Sequence, residues 1–126
     1  MLQQLPLGLH VVIETAAAAS FILAPHRQLP SVSPETNLVL KSYGGLLLAT
    51  NILCLGFILR PVFDDASRIV ALSMAFYHVW PCYRAYQRIM NSIGMAGGQR
   101  GNLGGPNLHL LLHATLCAFL GLASIM

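Results

Sequence analysis

Eighteen consecutive residues, from Ser42 to Leu59, carry no charged side chain. A helix of this length extends about 27 Å, which is most of the hydrocarbon core of a bilayer. Comparable apolar stretches lie on both sides of it, separated by short segments rich in proline, glycine or charge. Only 9% of the residues are charged, whereas about a quarter are charged in a soluble domain. The sequence therefore predicts an integral membrane protein, with the lipid bilayer as its first partner.

Proline and capping residues divide the apolar sequence into four helices. Pro6 suits a first helical turn and Pro25 ends that helix, while Glu14 in its middle argues against a cleaved signal peptide. The run Ser33-Pro34-Glu35 is a helix start, and Asp64-Asp65 offers the next cap. The predicted helices cover residues 5–24, 35–59, 66–89 and 107–126. With short connections, they predict a single all-α domain, an integral membrane four-helix up-down-up-down bundle.

The connecting segments give a prediction of mobility and one of orientation. Residues 91–106 contain six glycines and no apolar periodicity, which predicts a flexible loop. In an up-down bundle, loops 25–35 and 90–106 share one side, and more arginines lie on that side than on the other. The positive-inside rule then places both loops in the cytosol. The three cysteines lie in apolar stretches and are odd in number, so a disulfide framework is not expected.

Ionisable residues inside the apolar stretches are the main candidates for function, because such residues normally face a bundle interior or a wet cavity. They are His10, Glu14, Lys41, His78, Arg84, His109 and His113. Counted by helical rise, Glu14 lies roughly 15 Å and His78 roughly 16 Å below the cytosolic side, and Lys41 and His113 lie roughly 9 Å below it. We therefore expect Glu14, Lys41, His78 and His113 to face one another as acid–base groups, with an ion pair between Glu14 and Lys41.

Two other interpretations of these polar groups remain open. They can be structural ties between helices, as polar residues often are in membranes. Alternatively, two histidines of different helices, such as His78 and His113, can hold a haem or a metal ion. His10 and Glu14, like His109 and His113, have the i, i+4 spacing that puts two ligands on one helix face. No spacing here is specific to a metal, so we predict no metal site and no cofactor.

The segment from Tyr77 to Arg88 is the densest in polar chemistry. Its aromatic and basic residues are typical of an interfacial anchor. However, Pro81 removes one backbone hydrogen bond and frees the carbonyl of Tyr77 beside His78, where a polar ligand group could dock. The residues we expect to contact a bound ligand are Tyr43, Asn51, Tyr77 and Arg84.

Several short motifs distributed along the chain carry a family resemblance. They are Gly8-Leu9-His10 with Glu14, Ala24-Pro25, Lys41-Ser42-Tyr43-Gly44-Gly45, Tyr77-His78 with Pro81 and Arg84, and His113. In these features the sequence resembles the small four-helix DoxX-like membrane proteins, in particular their fungal members. The resemblance implies a four-helix bundle and a component of a natural-product pathway that handles lipophilic intermediates. The glycine-rich third loop departs from the bacterial pattern, so no redox role and no catalytic residue are carried over.

Two classes of function are compatible with these residues. The first is a small membrane enzyme, or an enzyme helper, that isomerises or cyclises a lipophilic intermediate with acid–base groups. The second is a non-catalytic accessory subunit with a structural polar core. No nucleophile arrangement or nucleic-acid-binding stripe is present, so a hydrolase and a nucleic-acid partner are not expected. Other membrane proteins of the pathway are expected partners, and the endoplasmic reticulum is the expected location.

Overall fold

The computed structural model describes residues 2–29, 31–91 and 105–126, and its secondary structure there is helical. The four long helices are α1 (Leu5–Leu23), α2 (Pro34–Ile58), α3 (Asp65–Met90) and α4 (Gly105–Ile125). Short 3-10 turns, Leu2–Gln4 and Pro25–Arg27, flank α1. The predicted all-α fold with four helices is therefore confirmed. The predicted flexible loop falls mainly on residues 92–104, which lie outside the described residues.

Side-chain caps fix the first turns of α2 and α3. The Ser33 hydroxyl accepts a hydrogen bond from the Thr36 backbone N–H at 3.2 Å. The Asp64 carboxylate accepts one from the Ser67 backbone N–H at 3.0 Å. Each cap satisfies a backbone donor that has no partner within the helix, and contributes about 1 kcal/mol. These are the two caps that the sequence predicts.

The chain divides into two compact units, residues 1–62 and 63–126. In the first unit, the N-terminal hairpin, α1 packs against α2. Gln4 donates a hydrogen bond to the Arg60 carbonyl at 2.8 Å. At the other end of the hairpin, Phe21 and Tyr43 make an edge-to-face contact with ring centres 5.0 Å apart. The residue just before α1 thus contacts a residue just after α2, whereas a residue near the end of α1 contacts one in the first half of α2. The two helices are therefore antiparallel.

Small residues set the closest approach of α1 to α2. A Cβ atom added to Gly44 would lie 3.1 Å from the backbone oxygen of Ala18 and 2.7 Å from a side-chain carbon of Ile22. Ala18 is fully buried. Such small-residue contacts let membrane helices approach closely, because lipid provides little hydrophobic drive for their association.

The second unit, the C-terminal hairpin, pairs α3 with α4. Arg68 donates a hydrogen bond to the Met126 carbonyl at 3.0 Å, and Arg84 contacts His109 near the opposite end. These helices are therefore also antiparallel. The buried positions of α4 recur every three or four residues, as in a coiled-coil seam; they are His113, Leu116, Leu120 and Ala123.

Large apolar side chains cover the outer faces of the helices as well. Val12 of α1 and Ile52 of α2, for example, are 69% and 71% exposed. Together with the preceding turn, α1 is one of three helices long and apolar enough to cross a membrane; the others are α2 and α4. Helix α3 is as long, but it contains four charged residues. Its predicted crossing, and with it the up-down-up-down bundle, stays a prediction.

Candidate functional site

Two ionisable side chains on one face of α1 are buried. His10 and Glu14, four residues apart, are 0% and 1% exposed. They continue the buried stripe that includes Leu7 and Ala18. An imidazole and a carboxyl group thus take positions that packing alone would fill with apolar residues, which marks them as candidates for a functional or specifying role.

Asn51 and Tyr43, two of the predicted ligand contacts, serve helix packing in the structure. The Asn51 amide donates hydrogen bonds to the Thr15 hydroxyl at 2.9 Å and the Val11 carbonyl at 3.4 Å. Because a carbonyl can only accept, these bonds fix which way the amide points. Tyr43 is half-buried against Phe21. Both residues therefore link α2 to α1.

The register of the N-terminal hairpin does not bring Lys41 to Glu14. Lys41 is exposed and precedes Tyr43, which lies level with Phe21. Seven residues of α1 separate Phe21 from Glu14, so Lys41 lies at least about 10 Å away along the helix axis. At this distance the expected ion pair between Lys41 and Glu14 is not formed. The expectation rested on a depth counted separately for each helix, and such a count does not determine how two helices align.

The C-terminal hairpin brings two predicted site residues into direct contact. His78 of α3 and His113 of α4 are 0% and 2% exposed, and their Nδ1 atoms lie 2.8 Å apart. Their ring centres are 5.0 Å apart and their planes are tilted by 39°. The 5.0 Å between the ring centres nearly equals the 2.8 Å between the two Nδ1 atoms plus the distance from each ring centre to its own Nδ1. Both Nδ1 atoms therefore lie close to the line that joins the ring centres. The two Nδ1 atoms therefore point directly at each other.

A head-on contact of this kind determines how protons are shared between the rings. One Nδ1 must carry the proton and the other must accept it. In the neutral pair, the donor ring has a bare Nε2 and the accepting ring has a protonated Nε2. The pair thus combines one base and one acid, and movement of the central proton exchanges their roles.

The same geometry does not fit His78 and His113 as two axial ligands of a haem. Metal–nitrogen bonds are about 2 Å long, so ligands on opposite sides of an iron lie about 4 Å apart. The observed separation is only 2.8 Å. Two ligands side by side on one metal would direct their lone pairs to a common point rather than at each other. The arrangement is that of a hydrogen bond.

A third histidine extends the cluster towards the end of the hairpin. The ring of His109 lies edge-on to that of His113, with centres 4.3 Å apart. Its Nε2 lies 3.2 Å from Arg84, which is exposed. Tyr77 lies edge-on to His78, with ring centres 5.0 Å apart. His109 is not among the four residues expected to act as acid–base groups, although its i, i+4 spacing to His113 indicates a shared face.

The structure thus brings some of the predicted residues together. His78 and His113 meet, although helical rise predicted levels about 7 Å apart for them. Tyr77 and Arg84 lie beside this histidine pair and its neighbour His109. No family model, curated protein or solved structure matches this chain.

Proposed function

We propose that this chain is a small multi-pass membrane enzyme that isomerises or cyclises a lipophilic intermediate by acid–base chemistry. The head-on Nδ1 contact between His78 and His113 carries the proposal. Three apolar helices and apolar outer faces are compatible with a site reached from lipid.

The proposed reaction needs no net proton uptake. The bare Nε2 of one histidine removes a proton from one substrate atom, while the protonated Nε2 of the other delivers a proton to a second atom. At the same time the central proton moves from one Nδ1 to the other. Both rings remain neutral, and the substrate has exchanged one hydrogen position for another. A reaction that creates no ion suits a medium of low dielectric constant.

Glu14 is proposed as a further acid–base group because a carboxyl group buried in an apolar helix is a common proton carrier in membrane proteins. Lys41 is left out of the proposed machinery because it is exposed and out of register with Glu14. The DoxX-like resemblance supports a natural-product intermediate of fungal origin as the substrate.

Deuterium incorporation provides a test that does not require a known substrate. After each forward reaction the pair has reversed polarity, so a new forward turnover needs one proton gained and one lost at the Nε2 atoms. In D2O, the chain reconstituted in lipid should therefore introduce deuterium into one compound of a lipophilic extract from its source cells. Mass spectrometry detects the mass increase.

Matched histidine variants make the test specific. His78→Gln and His113→Gln should each abolish incorporation, since each removes one of the two proton carriers. His26→Gln, at an exposed histidine in the turn after α1, should retain it. The proposal is contradicted if deuterium incorporation persists in both His78→Gln and His113→Gln. It is also contradicted if the native chain produces no incorporation.

The accessory-subunit interpretation predicts a different result. If the pair only ties α3 to α4, its loss should lower the free energy of unfolding by about 0.6 to 1.7 kcal/mol, as for other interhelical hydrogen bonds in membranes. No deuterium incorporation would then depend on either residue. The interhelical hydrogen bonds of Asn51 show that this chain does use polar side chains as structural ties.

A further inference from the structure

We propose that Arg84, Arg88 and His109 bind the anionic headgroup of a membrane amphiphile at one end of the C-terminal hairpin. The inference deepens the proposed function by naming a substrate class, a lipophilic acid or phosphate ester. The inference rests on the proposed function only in taking the histidine pair as the place where the bound amphiphile reacts. Headgroup binding itself depends on the three residues named.

The hydrogen-bonding groups at this end of the hairpin favour a ligand that accepts hydrogen bonds. A guanidinium group has only donors, so His109 Nε2 must accept the hydrogen bond from Arg84. The His109 proton then lies on Nδ1, which is a donor. The cluster thus offers N–H groups, and ligand groups that consist of acceptors are carboxylates and phosphates.

The charge distribution of the hairpin indicates the same ligand class. Arg88 lies one helical turn beyond Arg84 on the same face of α3, and both charges act on His109. Within residues 63–126 the only carboxylate side chains are Asp64 and Asp65. They lie at the start of α3, about 28 Å along the axis from Arg84.

The first turn of α4 adds to the positive potential of this end. Helix α4 begins at Gly105, one turn before His109. Its first backbone N–H groups have no partners within the helix and carry partial positive charge. An anion near His109 is therefore stabilised by the helix terminus as well as by the two arginines.

Exposed aromatic residues indicate that the anion belongs to a lipid-like molecule. Trp80, Tyr83 and Tyr86 are 60%, 56% and 49% exposed on α3. Such residues are enriched at the level of lipid headgroups. His78 lies six residues before Arg84, about 9 Å deeper along the helix. An amphiphile held by its headgroup at Arg84 would therefore present its apolar chain to the histidine pair.

Trp80 provides a built-in probe of headgroup binding. It is the only tryptophan of the chain and lies one turn before Arg84. In vesicles of phosphatidylcholine that contain a small fraction of brominated lipid, bromine quenches tryptophan fluorescence on contact. We expect brominated phosphatidylglycerol to quench Trp80 more strongly than brominated phosphatidylcholine. Each arginine removed should lower that preference about fivefold, the factor that corresponds to about 1 kcal/mol per charge at the membrane surface.

Arg68 supplies the matched control, because it lies on the same helix near the opposite end, where it contacts Asp65 and Met126. Arg84→Gln with Arg88→Gln should abolish the preference, and Arg68→Gln should retain it. Arg84→Lys should weaken it, since the charge remains and the forked donor geometry is lost.

Three results would overturn the inference. They are equal quenching of the native chain by both lipids, loss of the preference in Arg68→Gln, and displacement of the lipid by millimolar inorganic phosphate, which would indicate a soluble anion. His78→Gln should leave the preference intact. If the deuterium test fails while this preference holds, the headgroup site stands and the proposed reaction does not.

Discussion

Replacement of Gly44 by alanine should loosen the N-terminal hairpin, whereas the same replacement of Gly45 should not. The new Cβ at position 44 would lie 2.7 Å from Ile22 Cγ1 and 3.1 Å from the Ala18 backbone oxygen. At position 45 the new atom would meet nothing within 4 Å. The two glycines are adjacent in one helix, so they form a matched pair that differs in steric contact.

The expected magnitude combines two opposing effects. Alanine is a better helix former than glycine by about 1 kcal/mol, and this gain is common to both variants. Overpacking of a tight contact costs about 1–3 kcal/mol, and only position 44 incurs it. We therefore expect the free energy of unfolding of Gly44→Ala to be lower than that of Gly45→Ala by about 1–3 kcal/mol. The backbone atom at Ala18 cannot move aside as a side chain can, so the helices themselves must separate.

The assay should follow the separation of α1 and α2 directly. Fluorescent labels at positions 2 and 59, both highly exposed, can report energy transfer between the ends of the hairpin during a titration with sodium dodecyl sulfate. Ile22→Ala combined with Gly44→Ala should restore part of the lost stability, because Ile22 is the nearest obstacle. Equal titration midpoints for Gly44→Ala and Gly45→Ala would refute the close approach.

Three further predictions concern individual hydrogen bonds. Asn51→Leu should lower the stability of the N-terminal hairpin by about 0.6–1.7 kcal/mol in the same titration, because it removes interhelical hydrogen bonds. Asp64→Ala should lower helix stability by about 1 kcal/mol in thermal unfolding followed by circular dichroism, since it removes the cap of α3, whereas exposed Asp65→Ala should have a smaller effect. In nitrogen NMR of the lipid-reconstituted chain, His78 and His113 should give one protonated and one bare Nδ1 with a coupling between them; two protonated Nδ1 atoms would contradict the shared proton.

Local features of the fold were predictable because each depends on a few neighbouring residues. Ser33 and Asp64 are the caps that their sequence contexts predict, and Pro25 lies one residue after Ala24, the C-cap, two residues beyond the last residue of α1. The helix boundaries agree within two residues with those predicted. The apolar length of α1, α2 and α4 likewise follows from composition alone.

The alignment of one helix against its neighbour was not predictable from these local signals. Counting rise from each loop placed Lys41 about 6 Å from the level of Glu14 and His113 about 7 Å from the level of His78. In the structure, Lys41 is farther from Glu14, and His113 meets His78. Helix alignment is set by side-chain fit along the seam, such as the contact of Gly44 with Ala18, and a depth count contains no information on that fit.

The shared proton between His78 and His113 gives the pair two states of opposite polarity. In the proposed reaction, a proton removed from one substrate molecule would stay on an Nε2 until a product molecule takes it up in the reverse direction or it exchanges with solvent. An isotope label would therefore pass from one molecule to another, and the conversion of product back to substrate would need no recovery step. Net conversion in one direction would require a reset through proton exchange, so its rate could not exceed the rate of that exchange. Until such an exchange, the positions of the protons on the two rings would record the direction of the last turnover.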